Sequence, residues 1–128
     1  MKVFFYKSST FLLTFILIIY SRFYLSFFGF GKLVSLLKKS RRNLLNINKL
    51  GYVLKSIKLT CSVVPKISCL IRVSALKIIF GDTRGLIIYI GIRTNRSKKF
   101  ESHAWAAYKD RVILNNDEVS SYETIYKI

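Results

Sequence analysis

The chain has 128 residues, 52% of them hydrophobic, and 22 basic residues against 6 acidic ones, a formal net charge of +16. This length suits one domain, and the apolar fraction excludes a disordered tail. Such a positive field attracts polyanions and anionic membrane surfaces, although in a chain so rich in Ile, Lys, Asn, Phe and Tyr much of it reads as solvated surface.

The N-terminus, MKVFFYKSSTFLLTFILIIYSRFYLSFFGFG, holds 14 uncharged residues between Lys7 and Arg22. A bilayer span needs roughly 18–20. Continuing to Gly31 supplies the length but encloses Arg22. A signal peptide would have this basic start and apolar centre, yet RFYLSFFGFG offers no small-x-small cleavage site. Three readings stand: a helix packed on its own domain, a membrane-surface anchor, or a span. In the second, Lys32, Lys38, Lys39, Arg41 and Arg42 face anionic lipid. Gly29 and Gly31 mark a break before GKLVSLLKKSRR, a short basic amphipathic helix.

From about Asn46 to Ser62, Ile47, Leu50, Leu54, Ile57 and Cys61 recur at three- and four-residue steps, one apolar face of a helix. Cys61 on that face reads as a small buried apolar side chain. Pro65 ends the helix and makes its predecessor extended. In KISCLIRVSALKIIFGD, Ser68 is the expected N-cap and Gly81 the stop. Leu70, Val73, Leu76 or Lys77, and Phe80 keep the helical spacing, so Cys69 falls in the first turn.

The pattern then changes. LIIYIGI, residues 86–92, reads as a buried strand and TNRSKK as a basic loop. SHAWAAY and RVILN read as two strands around a turn near Lys109–Asp110. The expected class is α+β, helices followed by an antiparallel sheet. The expected division is a hydrophobic and basic helical segment over residues 1–45 and a domain over 46–128.

Two cysteines give one possible disulfide, no secreted framework. With one histidine and no CxxC they make no ordinary zinc site, so neither a metal nor a cofactor is expected. A thiol and an imidazole, however, suffice for nucleophilic catalysis. The free N–H groups and dipole of a helix start favour a thiolate at Cys69 and can hold an oxyanion. His103 is the one imidazole available as base. A hairpin turning at Lys109–Asp110 sets Asn116 opposite His103, and a bulge or register change brings in Asn115 or Asp117. Each type can accept the imidazole N–H; Asp117, the carboxylate, also stabilises the imidazolium and is preferred. By themselves a lone Cys on a helix and a lone His on a strand are more often packing residues.

The strings VVPKISCLIRVSALKIIFGDTRGLIIYIGI and ESHAWAAYKDRVILNND closely resemble the lasso-peptide B protein family, the leader peptidases of lasso-peptide biosynthesis. Pro65, Cys69, Leu70, Arg72, Ala75, Leu76, Gly85, Ile90, Gly91, His103, Ala104 and Trp105 carry the likeness, over roughly residues 50–122. Ser102 and Ala107 depart from the family's Ala and Glu around His-Ala-Trp. The third family residue lies in an Asn-Asp pair downstream of the histidine; twelve positions past His103 this chain has Asn115.

This resemblance implies a transglutaminase-like, papain-type fold and a bacterial cysteine peptidase with a Cys69–His103–Asp117 triad. Its action is to remove the leader peptide from a lasso-peptide precursor in the cytoplasm, before macrolactam closure. Residues 1–45 are shorter and more apolar than the leader-recognition module of fused family members, so the split form is expected. Its partners are then the precursor peptide, a separate leader-recognition protein and an ATP-dependent asparagine-synthetase-like cyclase, with membrane-surface contact through residues 1–45 and no nucleic acid. The alternatives are acyl transfer to an amine through the same thioester, a non-catalytic basic protein that binds membrane or nucleic acid, and a scaffold that has lost its chemistry.

Overall fold

A computed structural model describes residues 2–39, 44–64, 67–94, 99–115 and 119–128. The chain forms two compact units, Met1–Thr83 and Arg84–Ile128. The first is helical and the second is an antiparallel sheet, so the expected α+β order holds, with an apolar helix at the N-terminus.

In the helical unit, α1 (Lys2–Phe28) and α2 (Phe30–Lys39) are separated by Gly29 alone. Gly29 takes φ 84°, a conformation that only glycine adopts without strain, and Gly31 continues inside α2. α2 is amphipathic as expected, burying Leu33, Val34 and Leu37 and ending in Lys38 and Lys39. α1 packs against α3 (Leu50–Val63) and α4 (Cys69–Phe80). Over residues 10–28 its buried positions are Thr10, Thr14, Ile18 and Ser21.

The sequence places the α3 helix start and its buried face differently from the structure. Residues Ile47–Lys49 form a 3-10 turn, capped by the Asn46 side chain, and the α-helix begins at Leu50. The buried face is Val53, Ser56, Ile57 and Thr60, whereas Leu50, Leu54 and Cys61 are half-buried. The cause is visible in the hydroxyls. Ser56 Oγ donates to the Tyr52 carbonyl and Thr60 Oγ1 to the Ser56 carbonyl, both at 2.8 Å. A hydroxyl satisfied within its own helix can be buried without losing a hydrogen bond. A count of apolar positions therefore picks the wrong stripe. Val64, at φ −98° and ψ 121°, is extended, as the residue before a proline should be; Pro65 itself lies outside the described residues.

α4 is buried at Ile71, at Val73 through Lys77, and at Ile79 and Phe80. Lys77 is accommodated because its Nζ donates to the Gly81 carbonyl at 2.8 Å and pairs with Asp82 at 3.4 Å. Gly81, φ 56°, closes the helix.

The sheet unit has strand order β3-β2-β1-β4, built from β1 (Leu86–Thr94), β2 (Phe100–Tyr108), β3 (Arg111–Leu114) and β4 (Glu123–Lys127). All pairings are antiparallel. β1 pairs along its whole length with β2, from Leu86↔Tyr108 to Thr94↔Phe100. Of the TNRSKK loop, residues 95–98 lie outside the described residues. The turn between β2 and β3 falls at Lys109 and Asp110, both with positive φ (50° and 66°). That is the two-residue turn whose twist matches a hairpin.

Candidate functional site

Cys69 is the first residue of α4. Ser68, at φ −74° and ψ 165°, is its N-cap, and the Ser68 hydroxyl accepts the Ile71 N–H at 3.4 Å. The Arg72 N–H donates to the Ser68 carbonyl at 3.2 Å. The local sequence thus does what was expected of it: a serine with an extended backbone starts the helix and leaves the next side chain, Cys69, in the first turn. Cys69 is half-buried, and neither it nor Cys61 is in a disulfide.

His103 lies in the other unit, on β2, opposite Gly91 of β1. Its Nε2 is 2.7 Å from the main-chain carbonyl oxygen of Asn115. A carbonyl only accepts, so Nε2 carries the proton, and in the neutral ring Nδ1 holds the lone pair. Asn115 reaches this position through a break in the hairpin. Tyr108↔Arg111 and Ala107↔Val112 are in simple register, but Ala106 pairs with Leu114. The extra residue on β3 is a bulge, which re-aims the chain beyond it. Asn115 then takes φ 57°, a region asparagine tolerates, and its Nδ2 donates to the Ala104 carbonyl at 3.0 Å. The side chain holds the turn while the main chain holds the imidazole. Sequence reasoning considered Asn115 only through its side chain. Asn116 and Asp117, the other candidates for orienting His103, lie outside the described residues.

Two aromatic rings contact the ring of His103 and, at 6.3 Å, each other, forming one cluster against it. Trp105 stacks with it at a centroid distance of 5.7 Å and 23°, and Tyr122 at 5.1 Å and 32°. Trp105, two positions on and so on the same strand face, is buried and also stacks on Tyr89 at 5.6 Å. Tyr89, Gly91 and Arg93 are the cross-strand partners of Trp105, His103 and Glu101, so one face of β1–β2 carries the whole cluster.

Gly91 leaves room there. A Cβ at this position would stand 3.0 Å from Cη2 and Cζ3 of Trp105 and 3.0 Å from the Glu123 carbonyl oxygen. The missing side chain is the space the indole occupies.

Arg93 completes the support. Its guanidinium lies 4.6 Å over the Tyr122 ring, its Nε is 2.7 Å from Glu101 Oε2, and its Nη1 donates to Ser121 Oγ at 2.8 Å. Arg93 thereby fixes the tyrosine that flanks His103.

Sequence reasoning missed Tyr89, Tyr122 and Arg93, and it missed β4. The tail ETIYK, with β-branched Thr124 and Ile125 and aromatic Tyr126, is rich in strand formers. Nothing local marks Tyr122, which reaches His103 only once β4 has paired with β1. No cluster of three or more His, Cys, Asp or Glu able to hold a metal occurs among the described residues.

Chemically, the sheet unit presents an imidazole of fixed tautomer and orientation, suited to moving a proton at Nδ1. The helical unit presents a thiol at a capped helix start. A family model described as the transglutaminase-like superfamily matches residues 17–127, from within α1 through β4. Neither the curated proteins nor the solved structures give a match.

Proposed function

Because this chain belongs to the transglutaminase-like superfamily, we propose that it is a cysteine peptidase that removes the leader from a lasso-peptide precursor before macrolactam closure. The observation that supports this reading most is the imidazole of His103, held by the Asn115 carbonyl on Nε2 and by the rings of Trp105 and Tyr122. A packing histidine does not need its tautomer fixed; a general base does. The motif residues Cys69-Leu70-x-Arg72 and His103-Ala104-Trp105 support the narrower identification.

In the proposed reaction His103 Nδ1 takes the Cys69 thiol proton, and the thiolate attacks the carbonyl at the leader–core junction. The first-turn N–H groups of α4 donate to the oxyanion. His103 then protonates the leaving amine, the new N-terminus of the core peptide, and a thioester remains. Water, deprotonated by His103, hydrolyses the thioester and frees the leader carboxylate and the thiol. In this scheme the domain spans residues 46–128 and Asp117 joins the pair as its carboxylate. The freed core amine is the group that a macrolactam-forming cyclase needs, so cleavage precedes ring closure. A separate leader-recognition protein presents the precursor, and the reaction takes place in the cytoplasm.

The test is mass spectrometry of a precursor peptide incubated with the purified chain and its leader-recognition protein. Cleavage yields two fragments whose masses sum to the precursor plus water. Cys69→Ala and His103→Ala should each abolish it while the far-ultraviolet spectrum is unchanged. Persistent cleavage by Cys69→Ala would overturn the mechanism. Acyl transfer, the namesake chemistry of the superfamily, uses the same thioester and is recognised by a product joined to an amine instead.

A further inference from the structure

We propose that α1 lies in the plane of an anionic lipid surface, with the face made by Leu12, Ile16, Tyr20, Phe23 and Phe27 in the acyl region. This inference does not depend on the peptidase reading. The segment Thr10–Phe28 is long and apolar enough to cross a bilayer, yet only 17% of it is buried. It is therefore no core helix.

The two sides of α1 are inverted relative to a soluble helix. Over residues 10–28, Thr10, Thr14, Ile18 and Ser21, spaced by four, four and three residues, are the buried positions. Leu12, Ile16, Tyr20, Phe23 and Phe27 follow the same spacing on the opposite arc and are 48–78% exposed. Three small hydroxyl side chains and Ile18 thus meet protein, while five large apolar ones face outward. Thr14 Oγ1 donates to the Thr10 carbonyl at 2.8 Å, which lets the threonine be buried. Small side chains at helix contacts with apolar ones outside is the pattern of helices that pack in lipid. The C-terminal half is aromatic, with Tyr20–Tyr24, Phe23–Phe27 and Tyr24–Phe28 in ring contact. Such rings favour the boundary between headgroups and acyl chains.

Charge selects the occupant. Met1–Thr83 contains 14 of the 22 basic residues and one of the six acids, Asp82. That acid is 3.4 Å from Lys77. α2 follows the apolar face directly with Lys32, Lys38 and Lys39 exposed. A second copy of this chain would bring the same positive charge to the contact and repel; anionic headgroups are complementary. Beside α1, Phe11, Tyr52, Lys55, Ser56 and Leu59 line a cleft of about 200 Å³, apolar with one lysine at its side.

Orientation follows from what accompanies α1. Arg22 falls inside the apolar segment, and α3, packed on α1, exposes Lys55 and Lys58. A crossing α1 would bring Arg22, and with α3 its lysines, toward the hydrocarbon, where burying a charge is unfavourable. In the plane, the buried stripe and its partner helices sit on the water side and these charges stay hydrated.

The test is flotation of the full chain with phosphatidylglycerol–phosphatidylcholine vesicles and with phosphatidylcholine alone. Binding should require the anionic lipid and weaken with salt. Phe23→Asp with Phe27→Asp should weaken it at least about tenfold; Phe23→Ser with Phe27→Ser, gentler on folding, should act in the same direction, with helicity checked by circular dichroism. Equal binding to neutral vesicles, or undiminished binding by both folded double variants, would overturn the proposal. So would variants that lose only self-association. For orientation, a fluorophore attached at Leu12→Cys, Tyr20→Cys or Phe27→Cys in a Cys61→Ser, Cys69→Ser background is quenched by spin-labelled lipids. One shallow depth at all three positions is expected; a deeper position 20 means a crossing helix and overturns the in-plane arrangement.

Discussion

His103 Nε2 meets the main-chain carbonyl of Asn115 at 2.7 Å, while the Asn115 side chain donates to the carbonyl of Ala104 at 3.0 Å. The residue that orients the imidazole thus does so with a group every amino acid possesses. Its identity matters because asparagine tolerates the φ of 57° that aims the carbonyl.

Asn115→Ala should therefore remove one hydrogen bond, about 1 kcal/mol, and force Cβ-bearing backbone into a left-handed conformation for about 1–2 kcal/mol more. Asn115→Gly keeps the conformation and should retain more cleavage and a higher Tm than Asn115→Ala. Equal loss in the two variants would show that the side chain, not the backbone geometry, is what counts. Thermal denaturation with the cleavage assay separates these.

Gly91→Ala places a methyl 3.0 Å from Trp105 and from the Glu123 carbonyl. Neither the sheet backbone nor a buried indole can yield freely, so a loss of about 1–3 kcal/mol is expected. Tryptophan emission should also shift, since Trp105 is the only tryptophan. An unchanged spectrum and midpoint would mean that the indole is not held against Gly91.

Arg93→Ala removes the cation over Tyr122 and its bonds to Glu101 and Ser121. The Arg93–Glu101 pair is partly exposed, so its own contribution to stability should be under about 1 kcal/mol. The expected consequence is functional: Tyr122 loses its support and His103 its second flanking ring, lowering kcat more than it raises KM. Arg93→Lys keeps the charge without the planar stack and should recover only part of the rate.

Ser68→Ala deletes the acceptor for the Ile71 N–H and should cost about 1 kcal/mol; Ser68→Asp restores a capping oxygen and most of that stability. Urea denaturation of the two variants distinguishes a cap from a residue that merely precedes the helix.

Much was legible in the sequence. Ser68, Cys69 and Gly81 fixed the start and end of α4, because capping depends on neighbours in the chain. The Lys109–Asp110 turn and the strands on either side of it were readable for the same reason. The stripe of α3 was misread, since Ser56 and Thr60 count as polar in a sequence but are satisfied by their own helix. The three readings of α1 could not be separated in the sequence, because an apolar helix looks alike whether its large side chains face protein or not.

The sequence alone determined most of the elements: the four helical segments, where the sheet begins, and that Cys69 opens a helix while His103 lies on a strand. These follow from periodicity, caps and turns, which act over a few residues. Only the tertiary structure decided what surrounds the imidazole. The β3 bulge that brings the Asn115 carbonyl to His103, the space at Gly91 that Trp105 fills and the pairing of β4 that delivers Tyr122 all depend on register between strands. Register is set by the packing of whole strands, and no local run of residues encodes it.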